Sequence, residues 1–448
     1  MSRILSPRMP LLAAGLLFAC LAATVRADDW PQWRGPNQDA SSKENGLLAV
    51  WPKGGLPPLV WTAKDLGHGH STPSVADGMV FGMGVRGGKE GKGGKDGIFA
   101  LKESDGTELW FTPIDDSVGW NNNNGPGGTP TYFKGKVFAI SNKGMLACLD
   151  AKTGKPVWSV SFGKEFGAGT PGWGFDESVL VDDGKVICAP GTAKAAVVAL
   201  NPEDGKVIWK SEVPKPGSGI GYSTPVAATI HGVPQYVVLL GGDKDHKAGG
   251  VVGVDAKTGK LLWQYERVGN GTAAIPTPIV KGDLVWASSS YDAGGSALFQ
   301  VTRDGDAFGV KEIQYYAKKD NGVNNHHGGM VLVGDYVYFG NGQNQGAPTC
   351  VEFKTGKVVD GWPTKAPLGC NGSAAVLYAD GLLYFRYQNH KMALIKPNPG
   401  KLDVVGVYDL PAYDTKVASW PHPVIANGKL FIRYSDKMYT FNVKADKN

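Results

Sequence analysis

The residues best suited to chemistry gather in short glycine-rich segments. GHGHS carries His68 and His70, and GWNNNNGPGG carries Trp120 with Asn121, Asn122, Asn123 and Asn124. GTPGWGFDES carries Trp173, Asp176 and Glu177, while GIGYS and NGTAAIP supply Tyr222 and Asn270. NNHHGG holds Asn324, Asn325, His326 and His327, GCNGS holds Asn371, and SWPHP holds Trp420 and His422. Five of the eight histidines fall in these segments, a concentration that a scaffold alone does not require. Amides and imidazoles donate and accept hydrogen bonds, and indole or phenol rings give flat apolar walls. Together they suit a polar, ring-bearing ligand such as a sugar or a quinone. The same groups could instead hold ordered water and satisfy backbone groups at strand ends. Imidazole nitrogens at His68, His70, His326 and His327 would suit zinc or copper. No spacing forces them together, so no metal site is assigned.

A repeat positions these segments. An apolar strand, a tight turn and a second strand recur eight times, starting at Thr72, Thr129, Ser178, Thr224, Thr277, Gly329, Ser373 and His422. A second hairpin follows, clearest in ALKESDGTELW from Ala100, LDAKTGKPVW from Leu149, LNPEDGKVIW from Leu200 and VDAKTGKLLW from Val254. It is weaker from Val351 and Leu394, and worn near Arg303. Asp-Gly, Asn-Gly and Thr-Gly pairs supply the positive φ of tight hairpin turns. Four short strands, A to D, therefore return about every 50 residues, the period of one propeller blade. The expected fold is all-β: an eight-bladed β-propeller of four-stranded antiparallel blades. The last copy lacks a D strand, and PLVWTAKDL near the N-terminus carries Trp61 where a D-strand tryptophan belongs. That strand is predicted to complete the last blade and close the ring.

Strand alternation puts the A–B and C–D turns on one face and the B–C loops and D–A links on the other. The turns are short and alike. The B–C loops from Arg86, Gly241, Ser290 and Gly340 are long and varied, which marks their face for binding. The polar segments above are the D–A links, which run inward to the mouth of the central channel. Trp158 and Trp263 are expected to dock between neighbouring blades.

At 448 residues and 42% hydrophobic, with 13 Trp, 16 Tyr and 16 Phe, the chain can bury a large core and is not disordered. The first 27 residues read as a secretory signal peptide, with basic Arg3 and Arg8, an apolar run from Leu11 to Ala23, and Val25 and Ala27 before the cleavage point. Cys20 offers a lipid anchor as a second reading, and no later segment could span a bilayer. Residues 28–56 form a lead-in, 57–444 the propeller and 445–448 a tail. Without Arg3, Arg8 and Arg26 the net charge falls from +5 to about +2, too balanced for a nucleic-acid partner. Export permits disulfides; the spacing of Cys148, Cys188, Cys350 and Cys370 fits no metal motif, and isolated buried thiols are the plainer of the two readings left open. The protein is expected to be exported, periplasmic or extracellular, and monomeric.

The DAKTGKxxW hairpins in eight units resemble the repeats of quinoprotein dehydrogenases, which bind pyrroloquinoline quinone (PQQ), and of the non-catalytic outer-membrane assembly lipoprotein BamB. DDWPQWRGPNQD, from Asp28 to Asp39, resembles the lead-in of secreted PQQ-like propellers of planctomycete-type bacteria. The resemblance runs from Trp30 to Lys444 and specifies fold far better than function. In the dehydrogenases, PQQ stacks between a tryptophan and a disulfide of two adjacent cysteines, beside calcium and a catalytic aspartate. Here no two cysteines are adjacent and no C-x-x-C-H haem motif is present. Trp173 or Trp420 would serve as a stacking floor, and Asp176 or Glu177 as base or calcium ligand. The expected function is a non-catalytic binding or scaffold module whose channel mouth takes a protein partner, a glycan or a small polar ligand. The alternative is a PQQ-dependent alcohol or sugar dehydrogenase using PQQ with calcium.

Overall fold

The computed structural model describes residues 29–446 apart from 54, 89–92, 119–124, 218–221, 244, 246, 319–321, 363–364 and 412–416. The expected signal peptide, Cys20 and Asn121, Asn122, Asn123 and Asn124 lie outside the described residues. Eight antiparallel sheets close into a ring, with blades at 74–116, 131–161, 180–211, 226–265, 279–317, 330–352, 374–409 and 424–442. The one described helix, Phe162–Phe166, follows blade 2. No helix among the described residues is long and apolar enough to cross a membrane.

The strand Leu59–Ala63 pairs antiparallel with the last strand, Lys437–Asn442, through Leu59–Phe441 and Trp61–Thr440, and so supplies the fourth strand of blade 8. Blade 5, whose second hairpin is worn in sequence, has the longest ladder, Gly295–Asp304 against Ala307–Ala317. In blade 6 the fourth strand is reduced to a single bridge, Val351 to Val358.

The repeated DAKTGK turn has a local cause. Asp150 Oδ1 accepts from the Thr153 backbone N–H (2.8 Å) and hydroxyl (2.7 Å), and Gly154 turns at φ 68°. Asp255 and Thr258 repeat both bonds. Each turn is then covered by the tryptophan of the blade before it. A Cβ on Gly154 would lie 2.6 Å from the Trp110 ring, whose Nε1 donates to Ala151 O (3.0 Å). Trp158 does the same to Gly205 and Pro202 O, as expected, and Trp61 to Gly106 and Glu103 O across the closure. Trp263 differs: its Nε1 donates to Gln235 of its own blade (2.7 Å), and its ring lies over Gly253 while its edge meets Phe299 of blade 5. Blade 5's turn has no such glycine under a ring. Apolar clusters fill the spaces between blades, for example Phe138, Cys148 and Val160 with Val186 and Val198 across blades 2 and 3.

The lead-in threads the channel. It enters at the tight-turn face, where Asp29 accepts from Asp77 N, pairs Trp30 with Val75, and bonds Pro31 O to Tyr132 N. At the tip, Trp33 reaches the loop face. The chain then turns back, with Gln38 donating to Pro225 O, Ser41–Ser42 running parallel to Tyr378 and Ala379, and Glu44 accepting from Gly428 N. This hairpin touches the innermost strand or its turn in blades 1, 2, 4, 6, 7 and 8.

Candidate functional site

Seven of the eight links, with Trp33 at the tip of that hairpin, line a cavity of about 370 Å³. Part of its rim is knit by hydroxyls that open three innermost strands: His422 N donates to Thr72 Oγ1 (2.8 Å), Thr129 N to Ser178 Oγ (2.8 Å) and Ser178 N to Thr224 Oγ1 (3.1 Å). The threonines of the repeated Thr-Pro starts therefore position the links.

Of the expected residues, His70, Trp173, Asp176, Tyr222, His326, His327, Trp420 and His422 line this cavity together. The structure sets four others apart. His68 turns to Ser435 Oγ (2.9 Å) and pairs its backbone with Val85. Asn324 bonds Ser290 and the Gly322 carbonyl, and Asn325 donates to Gly340 O (2.9 Å). Asn371 is exposed and bonded to the backbone of Gly372. These amides satisfy the strand-end backbone, the use that competes with ligand binding. Trp33, Tyr291, Asn344 and Gln388 also line the cavity and stand outside the expected set. Tyr291 and Asn344 belong to two of the long varied loops, a signal available in the sequence. Trp33 is the hairpin tip and floors the cavity.

The wall is largely aromatic. Trp173 stacks toward Tyr291 (6.4 Å between centroids), Tyr291 meets His326 edge-on (4.8 Å), His326 lies beside His327 (4.2 Å), and His327 faces Trp420 (5.2 Å). His70 tilts against Trp420 (4.7 Å) and His422 against Trp33 (4.5 Å). His326 is fixed between Ser373 Oγ (2.8 Å) and Tyr291 OH (2.7 Å), and His422 Nε2 donates to His327 O (3.0 Å). Both ring nitrogens of His70, Nε2 of His327 and Nε1 of Trp420 are buried without a hydrogen-bond partner among the described residues.

Burial keeps these imidazoles neutral. It lowers His70, His326 and His422 to about 4 and holds His327 well below its ordinary value, and the guanidiniums of Arg433 and Arg386 add to the effect at His70. Asp176, the one carboxyl on the described wall, accepts from Gly127 N (2.8 Å) and Asn142 Nδ2 (3.1 Å). Burial, helped by the charge of Asp96, raises it to about 7. Glu177 points away from the cavity, accepts from Ala189 N (2.9 Å), and is raised by burial to about 8. No three His, Cys, Asp or Glu side chains among the described residues converge to hold a metal ion. The four described cysteines are free thiols, and all but Cys370 are buried.

PQQ with calcium fits this wall poorly. The indoles could stack a flat ring, but calcium takes about six to eight oxygen ligands and Asp176 is the single carboxylate offered by the described wall.

The dehydrogenase subunit of alcohol dehydrogenase (quinone) from Gluconacetobacter polyoxogenes is 25% identical over 51% of this chain and 34% of its own length. Tetrathionate hydrolase from Acidithiobacillus ferrooxidans is 26% identical over 68% of this chain and 48% of its own. The chain thus spans between a third and a half of these curated relatives. The crystal structure of BamB from Moraxella catarrhalis superposes with a TM-score of 0.57 at 14% identity, over 88% of this chain and 99% of that one, a likeness of fold alone. A family model matches residues 94–362, more than half of the chain. The protein therefore belongs to the PQQ_2 family, described as outer membrane protein assembly factor BamB.

Proposed function

We propose that this protein is an exported, monomeric binding module whose ligand or partner docks at the channel mouth on the loop face. One observation carries the reading: a cavity of about 370 Å³ is lined by Trp33 of the N-terminal hairpin, by aromatic rings and imidazoles, and by polar atoms without hydrogen-bond partners among the described residues. A pocket that pairs broad apolar faces with a few fixed polar groups is built to hold a cyclic polar molecule, such as a glycan unit. The varied loops around it would add contacts to a larger partner, in keeping with a family described as an assembly factor.

Relatives named as quinone alcohol dehydrogenases support a second reading, a PQQ-dependent dehydrogenase, for which Asp176 would be the one carboxyl on the described wall. One experiment separates the two. The purified protein is incubated with PQQ and calcium and assayed for dye reduction across alcohols and sugars, in parallel with a glycan array. Retention of glycans without dye reduction is expected. Tight PQQ uptake with turnover would overturn the binding-module reading.

A further inference from the structure

Beneath the cavity lie arginines that no carboxylate neutralises at close range. Arg34, at the hairpin tip, is 3% exposed and donates Nε to Gln38 O (2.9 Å) and Nη2 to Met330 O (2.6 Å). Its Nη1 has no hydrogen-bond partner among the described residues. Arg386, 1% exposed, donates to Pro421 O, Ser419 Oγ (2.6 Å) and Arg433 O, so it holds the segment that presents Trp420 and His422. Neither has a carboxylate within ion-pair distance among the described residues, and Asp39 is the acidic group that acts on Arg34 from farther off. A Cβ placed on Gly329 would lie 3.0 Å from His422 Cε1 and 3.1 Å from Arg34 Nη1, so the charge sits one layer below a cavity-lining ring.

Buried guanidiniums bonded to neutral carbonyls project their charge into the nearest space of low dielectric. Here that space is the corner formed by His70, His422 and Trp420. The charges that act on His70 are Arg433 and Arg386, and those on His422 are Arg34 and Arg386, all positive. The donors in that corner match an acceptor: the Trp420 indole N–H and a neutral His70 ring are without partners. Across the cavity, Trp173 and Tyr291 offer apolar faces. The two ends of the cavity thus differ in character: one is positive and donor-rich, the other has the ring faces of Trp173 and Tyr291 and the one carboxyl of the described wall, Asp176.

We infer that the ligand is acidic: a cyclic molecule whose ring lies along the Trp173–Tyr291 side while its carboxylate or comparable oxoanion occupies the His70–His422–Trp420 corner above Arg34 and Arg386. This rests on the binding-module reading and narrows it, favouring a sugar acid over the neutral sugar.

The test compares three probes by calorimetry and tryptophan fluorescence: a galacturonate disaccharide, its methyl ester and the neutral galactose disaccharide. The acid should bind at least about tenfold tighter than either uncharged form, the advantage expected of a poorly screened positive field. In Arg34→Met the advantage should shrink toward parity, and in Arg34→Lys most of it should remain. Equal binding of acid, ester and neutral sugar overturns this inference while leaving the binding module in place. Absence of binding by all three overturns both for saccharides. Should Arg34→Met fail to fold, the acid-to-ester ratio in the unaltered protein decides.

Discussion

The indole of Trp33 lies 4.5 Å from the imidazole of His422, tilted by 56°, joining the tip of the N-terminal hairpin to the link that enters the last blade. Trp33 also donates to Thr277 Oγ1 of blade 5 (2.9 Å). One residue of the lead-in therefore ties opposite sides of the ring and floors the cavity. Trp33→Ala should weaken binding of a cavity ligand by about tenfold or more, since buried aromatic anchors dominate such sites. Trp33→Phe keeps a ring over His422 and should retain more of the affinity. Dissociation constants for the two variants, read beside their melting curves, check the ordering; equal losses would contradict it.

Stability should peak between about pH 6 and 7. Glu177 and Asp176 are raised in the fold to about 8 and about 7 from unfolded values near about 4, so the native state binds more protons and stability falls as pH rises through that interval. His70, His326 and His422 are lowered to about 4 from about 6.5, so the unfolded state binds more protons and stability falls as pH drops below about 6.5. The imidazoles are more numerous and prevail on the acid side; the two carboxyls prevail on the alkaline side. Glu177→Gln should flatten the alkaline decline and steepen the acid limb, because Glu177 opposes the imidazoles from about pH 4 upward. Urea denaturation at intervals from pH 4 to 9 measures both limbs.

Gly205 and Gly184 both sit at positive φ, 71° and 68°, but only Gly205 lies under a ring, with Trp158 2.7 Å from where a Cβ would stand. Gly184→Ala should cost about 1 kcal/mol through backbone strain alone. Gly205→Ala adds a clash that displaces the indole from Pro202 O and should cost about 2–4 kcal/mol. Melting temperatures of the pair test the capping role of the repeated tryptophan; equal shifts would remove it.

Gln38 is buried, donates to Pro225 O (2.9 Å) and accepts from Ala227 N (3.4 Å). Gln38→Ala leaves that carbonyl without its partner inside the channel and should cost about 1–3 kcal/mol. Proteolysis of the lead-in should accelerate in this variant, while a matched exposed change, Lys43→Ala, should leave the cleavage rate unaltered.

The ring of blades was legible because its causes are local. Asp150, Thr153 and Gly154 make their turn from their own side chains, and Asp255 repeats it, so the spelling recurs wherever the geometry does. The strand around Trp61 could be placed in blade 8 because it carries the same mark. The hairpin inside the channel carries none. Arg34 meets Met330 across 296 residues and Gln38 meets Pro225 across 187, and such contacts leave no period to read. The site residues divide the same way. Ring-bearing links turned inward together, whereas Asn324, Asn325 and Asn371 had strand-end backbone beside them to satisfy. Residue type alone does not distinguish an amide that greets a ligand from one that finishes a strand.

The hairpin also sets an order of events. The residues that floor the cavity are among the first in the chain, yet they lodge against innermost strands that run on to blade 8. Floor and walls cannot meet until the last blade has been made and zipped to Leu59–Ala63. The cavity thus exists only in the closed ring, because its lining runs from Trp33 of the lead-in to His422 at the entry to blade 8.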